Sequence, residues 1–493
     1  MTFVEKLAGW IWGLPLIVII LGIGVFFTVG TGFYQFTKFG HIMNETFGKL
    51  IRKHDGEEGS DGIISPFQAV ASAIGGSVGV GNIAGVATAI AIGGPGAILW
   101  MWIAALLGMG IKMAEVTLAV YYRKKDEKGN PYGGPTYYME YGMGEEKKLG
   151  WWKIMSIVFG LGIFSSFFLT VQNYSVSEAV GNSFGIPLGI VAVVYTSLVY
   201  IITSGGIPSL GKWAGIMVPI MCLFYVVIGL FVIFKNAAEL PNAFALIFSG
   251  GVSGTSAVGG FAGAAAAKSI QLGMARAVYS NEAGWGTSPI IHSTARTDHP
   301  VRQGMWGAFE VFVDSMIVCT ITALVIIVTG EWQSGVEGAT LTLNAFQNEI
   351  GIVGRITMAT SVFLFGLTTT TGWYAYYEVI LRHTFGNHSK TKDRILKLYK
   401  WIYPLPGLTM TFYAVLGGQS PANLWLISDI TTGIPTFVNV IALVVLAPKF
   451  ISLVKDYKAR HLGIGTVDPD FKVFYEDEPA KDDKNLEPVV NRI

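Results

Sequence analysis

The sequence is dominated by apolar segments that are long enough to cross a lipid bilayer. A helix needs about 20 apolar residues to span the hydrocarbon core. Segments of this kind cover residues 14–37, 65–92, 96–122, 152–181, 187–203, 213–234, 255–282, 304–329, 353–381, 400–417 and 421–448 of the 493-residue chain. Only 14% of the residues are charged, whereas soluble domains carry about 25%. We therefore predict an all-α, multi-pass membrane protein with about eleven transmembrane helices.

Composition and motifs exclude several other classes of protein. The net charge of +1 gives no electrostatic basis for nucleic-acid binding. Cys222 and Cys319 lie inside apolar segments, where small packing residues are expected. The sequence contains no GxxxxGK[ST] motif for ATP-driven transport, and its seven histidines form no metal-spaced pair on a predicted helix. We predict neither an enzyme nor an ATP-driven pump, and no cofactor.

The basic residues indicate how the chain is oriented. Most of the 34 Lys and Arg residues fall in alternate loops and in the C-terminal tail. The positive-inside rule makes these loops cytoplasmic. An odd number of helices then places the N-terminus outside and the C-terminus in the cytoplasm. We predict a protein of the cell membrane, surrounded by lipid and functional as a monomer, with a charged tail that is poorly ordered.

The odd helix count also suggests one additional helix beside a ten-helix core of two halves. The predicted units are an extra N-terminal transmembrane helix (1–38), a cytoplasmic loop (39–64), two five-helix repeats (65–234 and 255–448) and a cytoplasmic tail (449–493). The two repeats run in opposite directions through the membrane. Inverted repeats of this kind are typical of secondary transporters.

Glycines interrupt the first helix of the first repeat. Residues 75–85 read GGSVGVGNIAG, and each glycine in a helix costs ~1 kcal/mol relative to alanine. Backbone groups that such a break frees cannot turn to water in hydrocarbon. Broken helices bind substrate and ions in transporters, although close helix packing through small residues is the alternative. The corresponding helix of the second repeat predicts a second break at Gly273.

Five longer motifs resemble those of the alanine or glycine:cation symporter family. They are GGSVGVGNIAGVATAIAIGGPGAILWMW (75–102), KMAEVTLAVYYR (112–123), GGPTYYME (133–140), YSNEAGWGTSPI (279–290) and TTTTGWYAYYE (368–378). The resemblance implies a leucine-transporter-type fold, with a broken first and sixth core helix. It also implies uptake of alanine or glycine, driven by sodium and sometimes by protons. Sodium would be the coupling ion.

The same resemblance assigns a substrate site around the two breaks. Half-helix amides carry a partial positive charge that suits a substrate carboxylate. Gln172 and Asn173 are amides among apolar residues and need partners, so they either bind substrate or join helices. Aromatic and bulky side chains would restrict the substrate to the size of alanine, or they simply pack. The candidates are Gly75, Gly76, Ser77, Gly79, Gly81, Phe167, Phe168, Gln172, Asn173, Gly273, Met274 and Trp373.

A run of four threonines, residues 368–371, suggests a sodium site, because alkali cations take oxygen ligands. Hydroxyls at Thr368 and Thr369 are expected to act with the carbonyls of Gly75, Val78 and Phe365. The fold resemblance implies the two carbonyls on the first helix. The alternative is that these threonines bond carbonyls of their own helix.

Ionisable residues inside predicted helices are functional candidates by default. Lys268 is placed about one turn before the second break, where it replaces a second cation or pairs with a carboxylate. Lys112 and Glu115 are expected to pair with each other on one helix. Glu282 and Arg276 are expected near the cytoplasmic end, as a gate. Further candidate partners are Glu310, Asp314 and Glu378.

The sequence therefore predicts a sodium-coupled symporter that imports alanine or glycine by alternating access. A proton-coupled or ion-independent exchanger of small amino acids is the alternative within the same class. A channel would favour a repeated filter motif, whereas this chain has two dissimilar breaks. A membrane enzyme would need an acid–base or metal pattern that the sequence lacks.

Overall fold

The structure, a computed structural model, describes residues 2–49, 62–252, 262–386, 390–419 and 421–476. Its helices are α1 (Thr2–Ile11), α2 (Leu14–Gly30), α3 (Tyr34–Thr37), α4 (Phe39–Met43), α5 (Pro66–Ser77), α6 (Val86–Gly93), α7 (Ala97–Tyr121), α8 (Pro135–Tyr138), α9 (Trp152–Phe168), α10 (Gln172–Phe184), α11 (Leu188–Thr203), α12 (Gly206–Lys235), α13 (Leu240–Val252), α14 (Ala262–Asn281), α15 (Ser288–His292), α16 (Pro300–Val311), α17 (Thr320–Val328), α18 (Gly338–Phe385), α19 (Lys390–Ile402), α20 (Leu405–Leu416) and α21 (Pro421–Leu462).

Other regular structure is short. Strands β1 (Lys124–Lys125) and β2 (Pro131–Tyr132) form an antiparallel hairpin. Single turns of 3-10 helix lie at Ala237–Glu239 and Glu331–Gln333, and π-helical segments lie at Asn44–Gly48, Gly81–Gly85, Met139–Glu146 and Phe312–Cys319.

The all-α membrane architecture is confirmed. In the part of the chain that the structure describes, seven helices are long and apolar enough to cross a membrane, and the bent pair of α5 with residues 81–93 would make eight. Helical structure covers most of the described part of each of the eleven predicted segments; residues 255–261 of the seventh lie outside the described residues. The helices in the other predicted segments are short or interrupted. Helix α11, for example, has 16 residues. The total of eleven spans stays a prediction.

The first predicted break is present. Helix α5 begins with a capping box, in which Ser65 and Gln68 satisfy each other's backbone amides. It ends at Ser77, and Val78 leaves the helical region with ψ near 90°. A π-helical turn then restarts the chain at Gly81, and the two halves meet at a bend of 45°. The glycine-rich stretch therefore interrupts this helix.

The second break lies elsewhere than predicted. Helix α14 runs without interruption through Gly273 to Asn281, so a break at residues 271–275 is wrong. A Cβ on Gly273 would press on the Ala97 carbonyl and lie 2.9 Å from Trp100 Cβ, which identifies this glycine as a helix-packing residue. The chain turns instead at Glu282, Gly284 and Gly286, which all have positive φ.

Three features were not predicted. Residues 169–171 separate α9 from α10, and α18 is kinked at Gly351, where φ is 65°. Helices α13 and α19 occupy stretches predicted as loops.

The helices that lead into the first and second breaks are packed on several sides. Helix α5 contacts α12, α15 and α18, and helix α14 contacts α6 and α7.

Part of the C-terminal tail is ordered against the helix bundle. The Tyr475 amide donates to the Tyr121 carbonyl at 3.0 Å. Lys124 forms an ion pair with Glu476 at 3.1 Å and lies over the rings of Tyr141 and Tyr475. The expectation of a poorly ordered tail, made for residues 468–493, is wrong for residues 468–476, because contacts of Phe474, Tyr475 and Glu476 hold this segment on the bundle. Residues 477–493 lie outside the described residues.

Candidate functional site

The two breaks lie side by side, and glycines make this possible. A Cβ on Gly81 would lie 2.9 Å from the Tyr279 ring, near the end of α14. A Cβ on Gly76 would lie 2.6 Å from the Tyr376 hydroxyl of α18. Both distances are too short for a Cβ atom. The backbone at Gly76 and Gly81 can therefore approach the two tyrosine side chains closely only because these residues are glycines.

Trp373 of α18 connects the two breaks through one indole N–H. Its Nε1 lies 3.2 Å from the Gly76 carbonyl and 2.9 Å from Glu282 Oε1. The other carboxylate oxygen of Glu282 accepts from Thr287 at 2.7 Å and from Tyr376 at 3.2 Å. Glu282 is fully buried. Sequence reasoning considered Glu282 only as a gate; its place directly before the two glycines of NEAGWG was the available signal.

A second polar bridge joins the first break to the π-helical segment after α16. The Gly79 amide donates to Asn82 Oδ1 at 2.7 Å, and Asn82 Nδ2 donates to Asp314 at 2.5 Å. Ser280, at the end of α14, donates to the same carboxylate at 2.8 Å. One predicted substrate amide, that of Gly79, is therefore bound by Asn82. The predicted hydroxyl of Ser77 points back to the Ile74 carbonyl at 3.4 Å.

Most of the predicted sodium ligands come together. Thr369 donates to the Gly75 carbonyl at 3.1 Å, and Thr368 donates to the Phe365 carbonyl at 3.0 Å. A Cβ on Gly75 would lie 3.3 Å from Thr368 Cβ, so α18 presses these hydroxyls against the first break. Val78, the fifth expected ligand, is fully buried where that helix ends.

The hydroxyls of the other two threonines of the run have partners outside the first break. Thr370 pairs with the Tyr195 hydroxyl at 2.7 Å. Thr371 donates to the Leu367 carbonyl of its own helix at 2.8 Å. Thr369 is therefore the threonine of the run that bonds across to the first break, whereas Thr368, like Thr371, bonds carbonyls of its own helix.

A cavity borders α10 and α18 on the other side of Trp373. Four predicted substrate residues, Phe167, Gln172, Asn173 and Trp373, line it. The remaining lining residues are Thr170, Tyr195, Thr196, Val199, Thr370, Tyr377, Tyr403, Pro404 and Gly407. Aromatic rings therefore form much of the wall.

Gln172 and Asn173 differ in how their amides are satisfied. Asn173 donates to Thr196 at 2.9 Å and accepts from Ser177 and Thr411, so it joins helices. Gln172 donates to the Tyr279 hydroxyl at 3.2 Å, but its buried Oε1 has no partner among the described residues. Of the two amides, Gln172 is the one left with an open acceptor.

Three predicted substrate residues lie away from this arrangement. Phe168 is 58% exposed, because it follows Phe167 by one position and points to another side of α9. Gly273 packs on α7, as described above. Met274 is buried in the core two turns before Glu282, so it does not adjoin a break.

The predicted gate and cation substitute are also corrected. Arg276 and Glu282 do not pair; Arg276 forms a bidentate ion pair with Asp429, at 2.7 and 2.8 Å. Its guanidinium also lies 4.7 Å from the Trp425 ring centre. Lys268 lies about four turns before Glu282 rather than one.

Lys112 and Glu115 do not satisfy each other either. Lys112 donates to Ser288 at 2.6 Å and lies 3.6 Å from Glu310. Glu115 accepts the Gly284 amide at 3.1 Å and the Asn439 amide at 2.5 Å. Both residues therefore hold the second break to α7. Glu378, in contrast, pairs with Arg382 at 2.7 Å.

Comparisons with known proteins agree with this architecture. The model of the sodium:alanine symporter family matches residues 1–472. The chain is 36% identical to the sodium/alanine symporter AgcS of Methanococcus maripaludis, over 92% of this chain and 97% of that protein. It is 35% identical to a probable sodium/glutamine symporter, GlnT, of Bacillus subtilis, over 95% and 91%.

Solved structures give the fold. The structure of MhsT in complex with L-phenylalanine has a TM-score of 0.56 and 15% identity, and covers 80% of this chain and 99% of that one. The fold is that of leucine-transporter-type proteins, and the relatives are transporters rather than enzymes. With the family model matched along nearly its whole length, the chain belongs to the sodium:alanine symporter family, a family of cation-coupled amino-acid symporters.

Proposed function

We propose that this protein imports alanine or glycine together with sodium, by alternating access. The observation that carries the proposal is the contact of Thr369 with the Gly75 carbonyl, beside Thr368 and the Phe365 carbonyl. Hydroxyl and carbonyl oxygens are the ligands that hard cations prefer. Because they come from α18 and from the first break, a sodium ion there would join these two elements.

We assign the substrate to the cavity beside Trp373, whose indole N–H contacts both breaks. A small substrate side chain follows from the walls, since Phe167, Trp373, Tyr377 and Tyr403 crowd this cavity. Alanine and glycine fit such a space better than leucine does. The relative AgcS, whose name states sodium and alanine, supports this assignment.

The proposed orientation follows from the charge of the loops. The N-terminus would lie outside and the C-terminus in the cytoplasm. The Arg276–Asp429 ion pair would then lie on the outer side of the breaks, and it is buried in the state described here. We assign the transporter to the cell membrane as a functional monomer.

The experiment is a sodium titration of alanine binding to purified wild-type protein and Thr369→Val. The substitution keeps the shape and removes one oxygen. Losing a contact to a charged group costs ~1.5–3 kcal/mol, which raises the sodium midpoint about tenfold to a hundredfold. By linkage, the sodium enhancement of alanine binding shrinks as well.

Thr371→Val is the matched control, because Thr371 bonds its own helix in the same run. It should leave the sodium midpoint unchanged. An equal midpoint in wild type and Thr369→Val would remove this hydroxyl from the ion site.

A second candidate is a symporter of larger neutral amino acids, which the name of the relative GlnT favours. Competition of labelled alanine by unlabelled glutamine distinguishes the two. Uptake that a proton gradient drives without sodium would instead support the proton-coupled alternative.

A further inference from the structure

Helix α19 connects two helices that coincide with predicted membrane spans. It runs from Lys390 to Ile402, between the end of α18 and the start of α20. Because both neighbours enter the membrane from the same side, α19 lies close to the level where the hydrocarbon core meets water. The orientation proposed above makes this the cytoplasmic side.

One face of α19 is fixed to the helix bundle. The Tyr399 hydroxyl donates to the Tyr374 carbonyl at 2.8 Å, and the two rings stack with their centres 5.0 Å apart. Lys400 donates to the Ser204 carbonyl. The side chains of Lys392 and Tyr399 are buried on this face. These contacts determine which side of the helix is turned outward.

The outward face carries three cations without protein partners. Lys390, Arg394 and Lys397 are spaced by four and three residues, so they lie on the same side of the helix. All three are exposed, and none forms an ion pair or hydrogen bond within the described ranges. Other cations on this side of the protein, such as Lys124 and Lys449, pair with glutamates. The three charges of α19 are therefore available to an anion from outside the protein.

Apolar side chains continue the same exposed surface toward α20. Trp401 lies one turn beyond Lys397 on the same side of the helix and is 67% exposed, and Leu398 is 60% exposed. Tryptophan is enriched at membrane–water interfaces. Helices that combine basic and apolar side chains in this way lie in the headgroup region, with the apolar groups at the edge of the acyl chains. Both the charges and the apolar groups of this surface thus suit lipid.

We propose that this surface of α19, formed by Lys390, Arg394, Lys397, Leu398 and Trp401, binds the phosphate headgroups of anionic phospholipids in the cytoplasmic leaflet. That leaflet has a negative surface potential, and each basic residue close to it strengthens binding about fivefold. A bound headgroup would fix the depth of α19 and therefore of the adjoining ends of α18 and α20. The inference concerns a lipid partner and goes beyond the substrate and the ion assigned above.

The test measures the preference of the purified full-length protein for phosphatidylglycerol over phosphatidylcholine. Native mass spectrometry, with each lipid added in turn, gives the two affinities. The triple variant Lys390→Gln/Arg394→Gln/Lys397→Gln removes the three charges and leaves the buried face of α19 intact. Size-exclusion chromatography checks that the variant is folded.

The matched control is the triple variant Lys128→Gln/Lys455→Gln/Lys472→Gln. It removes the same charge from three other exposed lysines of the cytoplasmic side. A loss that depends only on the net charge of the protein would be equal in the two triple variants.

Wild type should bind phosphatidylglycerol more tightly than phosphatidylcholine, and added salt should weaken this preference because exposed charges are screened. The preference should fall at least about fivefold in the α19 triple variant and persist in the control. No preference in wild type, or an equal loss in both triple variants, would overturn the proposal. So would binding of soluble polyglutamate that needs the three cations more than phosphatidylglycerol binding does, because the surface would then fit an acidic protein.

Discussion

Gly79 and Thr369 should be energetically coupled, because the structure leaves no room for a side chain between them. A Cβ on Gly79 would overlap Thr369 Oγ1 and lie 3.1 Å from Thr369 Cβ. Overpacking of this kind costs about 1–3 kcal/mol. Displacing Thr369 from the Gly75 carbonyl loses a hydrogen bond worth about 1 kcal/mol. We expect Gly79→Ala to destabilise the protein by about 2–4 kcal/mol.

The double variant Gly79→Ala/Thr369→Ala separates this contact from other effects. Thr369→Ala alone should cost about 1–2 kcal/mol for the lost hydrogen bond. In the double variant, the γ atoms of Thr369 that clash with the new Cβ are absent. The loss of unfolding free energy should therefore be smaller than the sum of the two single losses by about 1–3 kcal/mol. Unfolding of detergent-purified protein, followed by tryptophan fluorescence, gives the apparent free energies.

Gly22→Ala on α2 is the control, since a Cβ there would meet nothing within 4 Å. It should be neutral or slightly stabilising, because alanine favours helices. Strict additivity of the two substitutions would refute the packing of α18 on the first break. A sodium-dependent part of the coupling would further support the ion site.

Two more predictions concern the neighbourhood of this contact. Trp373→Phe removes the indole donor to Gly76 and Glu282 and makes the cavity wall smaller. Alanine should bind about tenfold more weakly, and leucine should begin to compete with labelled alanine for binding. Asp429→Asn leaves Arg276 buried without its anion; it should destabilise the protein by about 3–5 kcal/mol, and thermal unfolding with an unchanged midpoint would contradict this.

The first break was predictable from sequence, and the second was not. The effect of many glycines inside an apolar segment can be judged from that segment alone, because unpaired backbone groups in hydrocarbon are costly whatever residues surround them. Gly273 carries the same local signal but packs against Ala97, a partner 176 positions away in sequence. The pair Gly284 and Gly286, with a carboxylate before them, was the better indicator of a turn.

Long-range partners explain most of the remaining errors. Arg276 and Asp429 are separated by 153 positions, and Lys112 and Ser288 by 176. Helical spacing relates only residues three or four apart, so it favoured a Lys112–Glu115 pair that does not form. The threonine run shows the reverse case: the two expected residues, Thr368 and Thr369, lie beside the first break, although adjacent threonines alone did not reveal which hydroxyls point inward.

The docking of Phe471–Glu476 has a consequence for biosynthesis. Tyr121 and Lys124 are synthesised early, whereas their partners Tyr475 and Glu476 leave the ribosome more than 300 residues later. During that interval the aromatic surface around Tyr141 lacks its cover and is open to other chains. A nascent protein that stalls in α21 would therefore expose this surface, and proteases or chaperones on that side could recognise it as unfinished.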